Sequence, residues 1–427
     1  MYFNRLLLLL IPLVLVWVFR VFLMTRNAER YPDRSPVRVR GRVSSQPYQY
    51  KSKQIMEVGM ILVYTTPFPQ YSYGDFVDLS GSLRREVTGF GKPKMSLMYP
   101  TIRVVDKEEF GGGFGLISLQ AWLSRLRSRI HQNFSSFLPE PQASLLSGVV
   151  LGAKGRIPDD FLTALRRTGT IHVVVASGYN VTMVAGLLSA LFLRFLSRRL
   201  AIPCVIVGIA LYAMLAGADS PIIRASIMGS LAFIAQYFGR QYLAVWGLVA
   251  ASLLMLVVSP FALFDVGFEL SVAATAGILL VSPAILGLLG RVRWFGYIAE
   301  ELAVTLGAQL AVLPILLIYF RQASWLSWLV NLLTVPLIPF LMVLGGVVAV
   351  TSLVWQELAF VGALLSWVPL TVFVSVVSWF DRLPFGVFQI SALSWWWAIG
   401  YYLVLGYLVW RQSQKGRLTR EDRRFVS

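Results

Sequence analysis

WLSWLVNLLTVPLIPFLMVLGGVVAVTSLV (residues 325–354) carries no charged side chain and is too long for a simple membrane-crossing helix, which needs ~20 apolar residues. Pro336 and Pro339 interrupt it, so a kinked or broken span is expected. Further apolar runs lie near 171–194, 201–217, 222–238, 243–259, 262–285, 297–320, 357–380 and 395–411. Another, at 6–24, follows Asn4 and Arg5 and lacks a small-residue cleavage site. Residues 1–25 therefore read as an uncleaved first span in which Arg20 snorkels toward the interface. A short stretch at 143–153 is expected to dip into the bilayer without crossing it. Of the 427 residues 57% are hydrophobic and 14% charged, against ~25% charged in a soluble domain, which excludes a soluble enzyme. The expected fold is a polytopic α-helical membrane protein with about ten transmembrane helices and a small extracytoplasmic all-β domain after the first span.

That β domain occupies residues 36–106, where the composition turns polar. Val37–Val43, Ile55–Tyr64, Asp75–Leu83 and Thr101–Asp106 read as strands with period-two alternation. Pro67, Pro69, Gly74, Gly89, Gly91 and Pro93 punctuate them. Four or five strands without a helix signal suggest a small barrel, most economically of the OB type. Beyond a Gly-rich hinge at Gly111–Gly115, residues 116–138 place Leu119, Trp122, Leu123, Leu126, Ile130, Phe134 and Phe137 at helical spacing. Arg125, Arg127, Arg129 and Gln132 fill the other face, so an amphipathic interfacial helix is expected; a helix packed on the barrel is the alternative. Residues 143–411 then form the multispan domain and 412–427 a basic tail.

Charge orients the chain. The 38 Lys and Arg exceed the 21 acids by 17. With Arg411, Lys415, Arg417, Arg420, Arg423 and Arg424 in the cytoplasm, Arg194, Arg198, Arg199, Arg240, Arg291 and Arg293 also fall inside. Asp219, Asp265 and Asp381 fall outside with the barrel, and both termini are expected inside. Arg34, Arg38, Arg40 and Arg42, and the pair Arg166 and Arg167, lie on the opposite side from this excess. An extracytoplasmic polyanion is one reason for them.

Tyr48, Tyr50, Tyr64, Tyr71, Tyr73 and Phe76 alternate in the β domain with Lys51, Lys53, Arg84, Arg85 and Arg103. Rings that stack bases beside cations that hold phosphates are what single-stranded nucleic acid needs, although some of these rings must fill the barrel. Arg38, Arg40, Arg42, Arg166 and Arg167 extend the candidate DNA-binding set. Within the spans the polar groups are few: Asn180, Arg224, Gln236, Glu269, Gln309 and Asn331, with His172, Ser177 and Gly178 at one span start. Buried polar groups at such depth face a bundle interior or an aqueous cavity, and an Arg there needs a partner. An Arg224–Glu269 pair is the first expectation. The only cysteine is Cys204, and His131 and His172 are the only histidines, so neither a disulfide nor a zinc site is expected. With no P-loop, Ser-His-Asp set or paired carboxylates, neither a cofactor nor catalysis is expected.

Several segments converge on one family. GDFVDLSGSL (Gly74–Leu83) resembles the barrel signature of the ComEC-type competence proteins, the membrane channels of bacterial DNA uptake. SLLSGVVLG (Ser144–Gly152) and HVVVASGYNV (His172–Val181) resemble that family's segment around HLxAxSGxHV. SPIIRASIMG (Ser220–Gly229) is similar to PSxxRAxxM, GFELS (Gly267–Ser271) to GFQLS, AQLAVLP (Ala308–Pro314) to AQLATLP and NLLTVPLIP (Asn331–Pro339) to NLLAVPL. Asn180 stands where the family often has His, and Glu269 where it usually has Gln.

The resemblance implies a channel importing single-stranded DNA across the bacterial cytoplasmic membrane, with a separate DNA receptor and a cytoplasmic motor. Many members carry a metallo-β-lactamase-like domain; no HxHxDH occurs in this sequence, so nuclease activity is expected from another polypeptide. His172, Ser177, Gly178, Asn180, Arg224, Glu269, Gln309 and Asn331 are then the candidates for a polar path. A small-solute or lipid permease, or a scaffold whose barrel binds a partner protein, are the alternatives.

Overall fold

The computed structural model describes residues 14–20, 35–43, 47–50, 53–59, 61–69, 71, 75–87, 93–105, 116–153, 157–174, 177–289, 296–383, 386–390 and 393–424. Asn4, Arg5, Arg34, Lys51, Tyr73, Arg291, Arg293, most of the 6–24 run and the 111–115 hinge lie outside them, as do the side chains of Tyr48, Tyr50, Arg85, Lys415, Arg417, Arg420, Arg423 and Arg424.

The polar segment folds as strands β1 (Pro36–Arg42), β2 (Tyr48–Tyr50), β3 (Lys53–Val58), β4 (Ile61–Thr65), β5 (Phe76–Val87), β6 (Pro93–Met98) and β7 (Thr101–Val104). Their order is β1-β5-β6-β4-β3-β2, with β7 also on β5. The Val43–Val58 bridge brings the end of β1 to β3 and curls the sheet on itself. All pairs are antiparallel except β4 with β6. A single parallel pair in an otherwise antiparallel, curled sheet is an OB-like arrangement. Val43, Met56, Val58, Val63, Tyr71, Val77, Leu79, Leu83 and Leu97 fill its core. Ile55–Tyr64 is therefore not one strand: Gly59 adopts φ +65° and turns the chain between β3 and β4. Strand β5 is longer than the alternation implied, because it changes partners along its length, from β1 and β7 to β6.

The rest is helical. Residues 14–20 (α1) are helical. Then follow α2 (Leu116–Phe137), α3 (Gln142–Leu151), α4 (Asp159–Arg167), α5 (Ile171–Val174), α6 (Gly178–Phe195), α7 (Arg198–Leu215), α8 (Ser220–Tyr237) and α9 (Ala244–Val258). After α10 (Val266–Ala276) a π-helical turn over Gly277–Val281 leads into α11 (Ser282–Leu289), and α12 (Gly296–Phe320) follows. Helix α13 (Ser327–Thr334) passes through a 3-10 turn at Val335–Leu337 into α14 (Ile338–Thr351), so the long apolar run is broken at its prolines. Helices α15 (Gln356–Asp381) and α16 (Trp395–Arg424) complete the chain, the expected tail continuing the last helix. Two short strands, β8 (Gln322–Ser324) and β9 (Val387–Gln389), pair between these helices.

Six stretches among the described residues are long and apolar enough to cross a membrane: Ile171–Phe195, Arg198–Leu215, Val266–Leu288, Ala299–Phe320, Ser327–Thr351 and Gln356–Asp381. The chain is a polytopic α-helical membrane protein carrying an all-β domain.

Prolines inside helices leave carbonyls without donors, and the bundle fills one such gap visibly. Pro314 cannot donate to the Leu310 carbonyl, and the Tyr401 hydroxyl donates there instead at 3.0 Å. Tyr402 also donates to the Ala311 carbonyl at 2.8 Å, and the two bonds tie α16 to α12. Helices α10 and α12 meet where Gly277 faces the backbone of Gly307, an approach that any Cβ would block.

Helix α2 packs Ile130 and Phe134 into the core of the helical bundle, chiefly on α3. Arg127, assigned to its polar face, is buried beside Gly217, because α7 covers that side too. Arg20 donates to the Val257 carbonyl, while the Trp17 indole donates to Pro260 at 2.9 Å. Val257 lies in the last turn of α9, where carbonyls have no intrahelical donor, and Pro260 opens the 3-10 turn that follows it.

Candidate nucleic-acid interface and polar helix junctions

On the β domain, alternation along β1 turns Val37 and Val39 inward and Arg38, Arg40 and Arg42 outward. Asp78 sits opposite Arg40 on β5 and is almost fully covered. Arg38 reaches it at 2.6 Å and Arg40 at 3.0 Å. The Arg38 hydrogen bond, helped by Arg40, holds the Asp78 carboxyl below the ordinary carboxylate range, and Asp78 in turn raises Arg38. These two arginines therefore share one counter-charge. Arg42 lies 5.9 Å from the Phe76 ring centre. Arg84 and Arg103 are exposed.

A second group gathers at one rim. Tyr48–Tyr50 pairs with Lys53–Ile55, Gln54 with Thr65, and Tyr64 with Met98, so β2, the start of β3 and the ends of β4 and β6 share that edge. Two aromatic residues that strand reading passed over stand there: Tyr99, 54% exposed, and Phe68, 72% exposed. The Lys53 ammonium lies 5.5 Å from the Tyr99 ring centre, and Tyr99 takes φ +48° while donating its backbone N–H to Tyr64. Their signal in the sequence is a bulky ring next to proline in a turn, in TPFPQ and MYP. Tyr71, by contrast, is core.

Arg166 is exposed, whereas Arg167 approaches Asp381 to 3.3 Å. One charge of this pair is thus balanced locally.

In the bundle, the polar residues sit at helix junctions. Asn180 is fully buried, and its side-chain amide donates to the Val149 carbonyl at 2.8 Å. Tyr212 donates to Val150 at 3.3 Å. Val149 and Val150 lie in the last turn of α3, so both side chains serve carbonyls that the helix leaves open. Ser177 precedes α6 and lies 3.4 Å from Asn180. His172 is exposed, its Nδ1–H donating to Gly169 at 3.0 Å.

Arg224 is 8% exposed, and it does not meet Glu269: its guanidinium donates to the backbone and hydroxyl oxygens of Ser271. Glu269 accepts from Tyr319 at 3.1 Å. The expected pair fails because residues 269 and 271 of one helix, two positions apart, point in different directions. Gly178 admits Arg224 closely; a Cβ there would stand 3.3 Å from its Nη2. Gln309 donates to Ser327 at 2.7 Å, and Gly169, with φ +73°, packs on the same hydroxyl. Asn331 is buried with no partner on its Oδ1. The candidates thus form separate junctions: α3–α6, α6–α8–α10, α10–α12 and α12–α13.

Comparison with known proteins bears on residues 149–415, which match the family described as "Competence protein". "ComE operon protein 3" of Bacillus subtilis is 29% identical over 270 residues, 63% of this chain and 33% of that protein. "Uncharacterized protein YcaI" of Escherichia coli is 26% identical over 227 residues, 48% of this chain and 28% of that one. An "Uncharacterized protein" of Aquifex aeolicus is 32% identical over 202 residues, 47% and 46% of the two chains. The alignments thus span less than half the length of each relative. No solved structure matches.

Proposed function

This chain belongs to the competence protein family, and we propose that it conducts single-stranded DNA inward across the bacterial cytoplasmic membrane. The observation that carries this reading is an OB-type barrel, with Lys53 on Tyr99 and Phe68 exposed at one rim, preceding a multispan competence domain. Stacking rings and cations at the rim of such a barrel take a flexible strand without regard to sequence. The polar-path candidates act downstream of that capture.

Phosphates cannot cross ~30 Å of hydrocarbon bare, so a hydrated lane must open. In the described conformation the polar residues are tied singly to helix junctions. Conduction therefore requires rearrangement, and the π turn at Gly277–Val281 and the break at Val335–Leu337 are where the backbone yields most cheaply. The orientation follows from charge: Ser220 and Asp265 meet at 3.1 Å at one end of the bundle, while Arg198 meets the end of α8 at the other. The arginine end is cytoplasmic, with both termini, and the barrel is outside. A separate receptor delivers the strand and a cytoplasmic motor pulls it. The chain itself acts without catalysis or cofactor.

The test is uptake of labelled DNA in cells lacking this gene. Wild type should restore internal label, while Lys53→Glu with Tyr99→Ala and Phe68→Ala should leave it at least ten-fold lower. Full internalisation by that variant would overturn the reading.

A further inference from the structure

A cavity of about 220 Å³ opens between α6, α7 and α8 at the arginine-bearing end of the bundle. Leu193, Ile202 and Val205 give it an apolar wall, Ser189 lies deeper between the helices, and Arg198 stands at the end where α7 begins. Arg198 donates to the Gln236 carbonyl at 3.0 Å, which ties the start of α7 to the end of α8. None of the polar-path candidates lines this space.

Its charge is one-sided. Arg194 closes α6, Arg198 and Arg199 open α7, and Arg240 follows α8, whose end is wrapped at Gly239 with φ +66°. Between Asp160 and Asp219, and again between Asp219 and Asp265, the sequence contains no acid. Two arginines in the first turn of α7 also face the positive end of that helix, which repels them unless an anion intervenes. The Ser197 side chain does not cap it. Around this basic rim Phe195, Leu200 and Phe238 are exposed, as is Leu193 on the cavity wall itself. Large apolar side chains gathered around a basic rim at the end of a membrane bundle suit the boundary between hydrocarbon and head groups.

We propose that the groove between α6, α7 and α8 binds an anionic phospholipid, its phosphate held by Arg198 and Arg199 and its glycerol stem lying along Leu193, Ile202 and Val205. The volume takes a phosphodiester and the first part of one chain, the remainder lying along exposed Leu193 and Phe195. Basic pockets between spans at the cytoplasmic side are where anionic head groups are recognised. A nucleic-acid strand would share the phosphate but leave the apolar wall unused.

The test uses the full chain, purified in detergent, stripped of lipid and titrated with phosphatidylglycerol or phosphatidylcholine while native mass spectrometry counts bound lipid. Wild type should keep phosphatidylglycerol in preference to phosphatidylcholine. Arg198→Gln with Arg199→Gln should weaken it about ten-fold or more, each surface cation contributing about five-fold. Ala201→Leu, which narrows the cavity and leaves every charge in place, should weaken it as well. Equal binding of the two lipids, or full retention by both variants, would overturn the proposal. Displacement of phosphatidylglycerol by glycerol phosphate would reassign the groove to free anions, and displacement by a single-stranded oligonucleotide would reassign it to nucleic acid.

Discussion

Asn180 illustrates how a polar residue at span depth earns its place. Its amide serves the Val149 carbonyl at the end of α3, so Asn180→Leu strands a buried acceptor at about 1–3 kcal/mol. Thermal unfolding in detergent should fall by several degrees. Asn180→His, the residue that the family pattern suggests here, keeps a donor and should lose less. Asp78 poses the corresponding question outside the membrane. Its folded pKa lies below its unfolded one, so its contribution is complete above the ordinary carboxylate range, near pH 4, and disappears as pH falls through the folded value. Amide exchange along β1 and β5, corrected for intrinsic rates, should accelerate below about pH 4, and Asp78→Asn should remove that step. Residue types legible in the sequence did not reveal their partners. Arg224 meets Ser271 and not Glu269, and Arg127 points inward, because side-chain direction depends on which helix arrives alongside.

At the level of elements, apolar periodicity located the helices well and the proline break in 325–354 correctly. It was blind to three-residue strands such as β2, β8 and β9, which exist only because a partner pairs with them. It also merged β3 with β4, since alternation continues through a glycine whose turn is invisible to hydrophobicity. The rim aromatics Tyr99 and Phe68 were missed for the same reason: their exposure belongs to turns. A pattern of a different kind links α12 and α16. Tyr401→Phe should cost about 0.6 kcal/mol, up to ~1.7, by reopening the Leu310 carbonyl. In a Pro314→Ala background the restored N–H serves that carbonyl, and the cost should vanish; unfolding of the single and double variants measures the coupling.

For the whole molecule, segregation of acids and arginines to opposite ends gives a direct check of orientation. In a Cys204→Ser background, Asp219→Cys should react with a membrane-impermeant maleimide in intact cells, and Gln241→Cys only after permeabilisation. The reverse pattern would invert the barrel into the cytoplasm. The contact between the first helix and the end of α9 has a different implication, one of timing. Trp17 and Arg20 leave the ribosome some 240 residues before Val257 and Pro260 exist. At ~5–20 residues per second that interval is on the order of 10–50 s. Throughout it the Arg20 guanidinium lacks the carbonyl it finally meets. Assembly of this bundle thus joins two segments made some 240 residues apart, and α1 must stay at hand until α9 arrives.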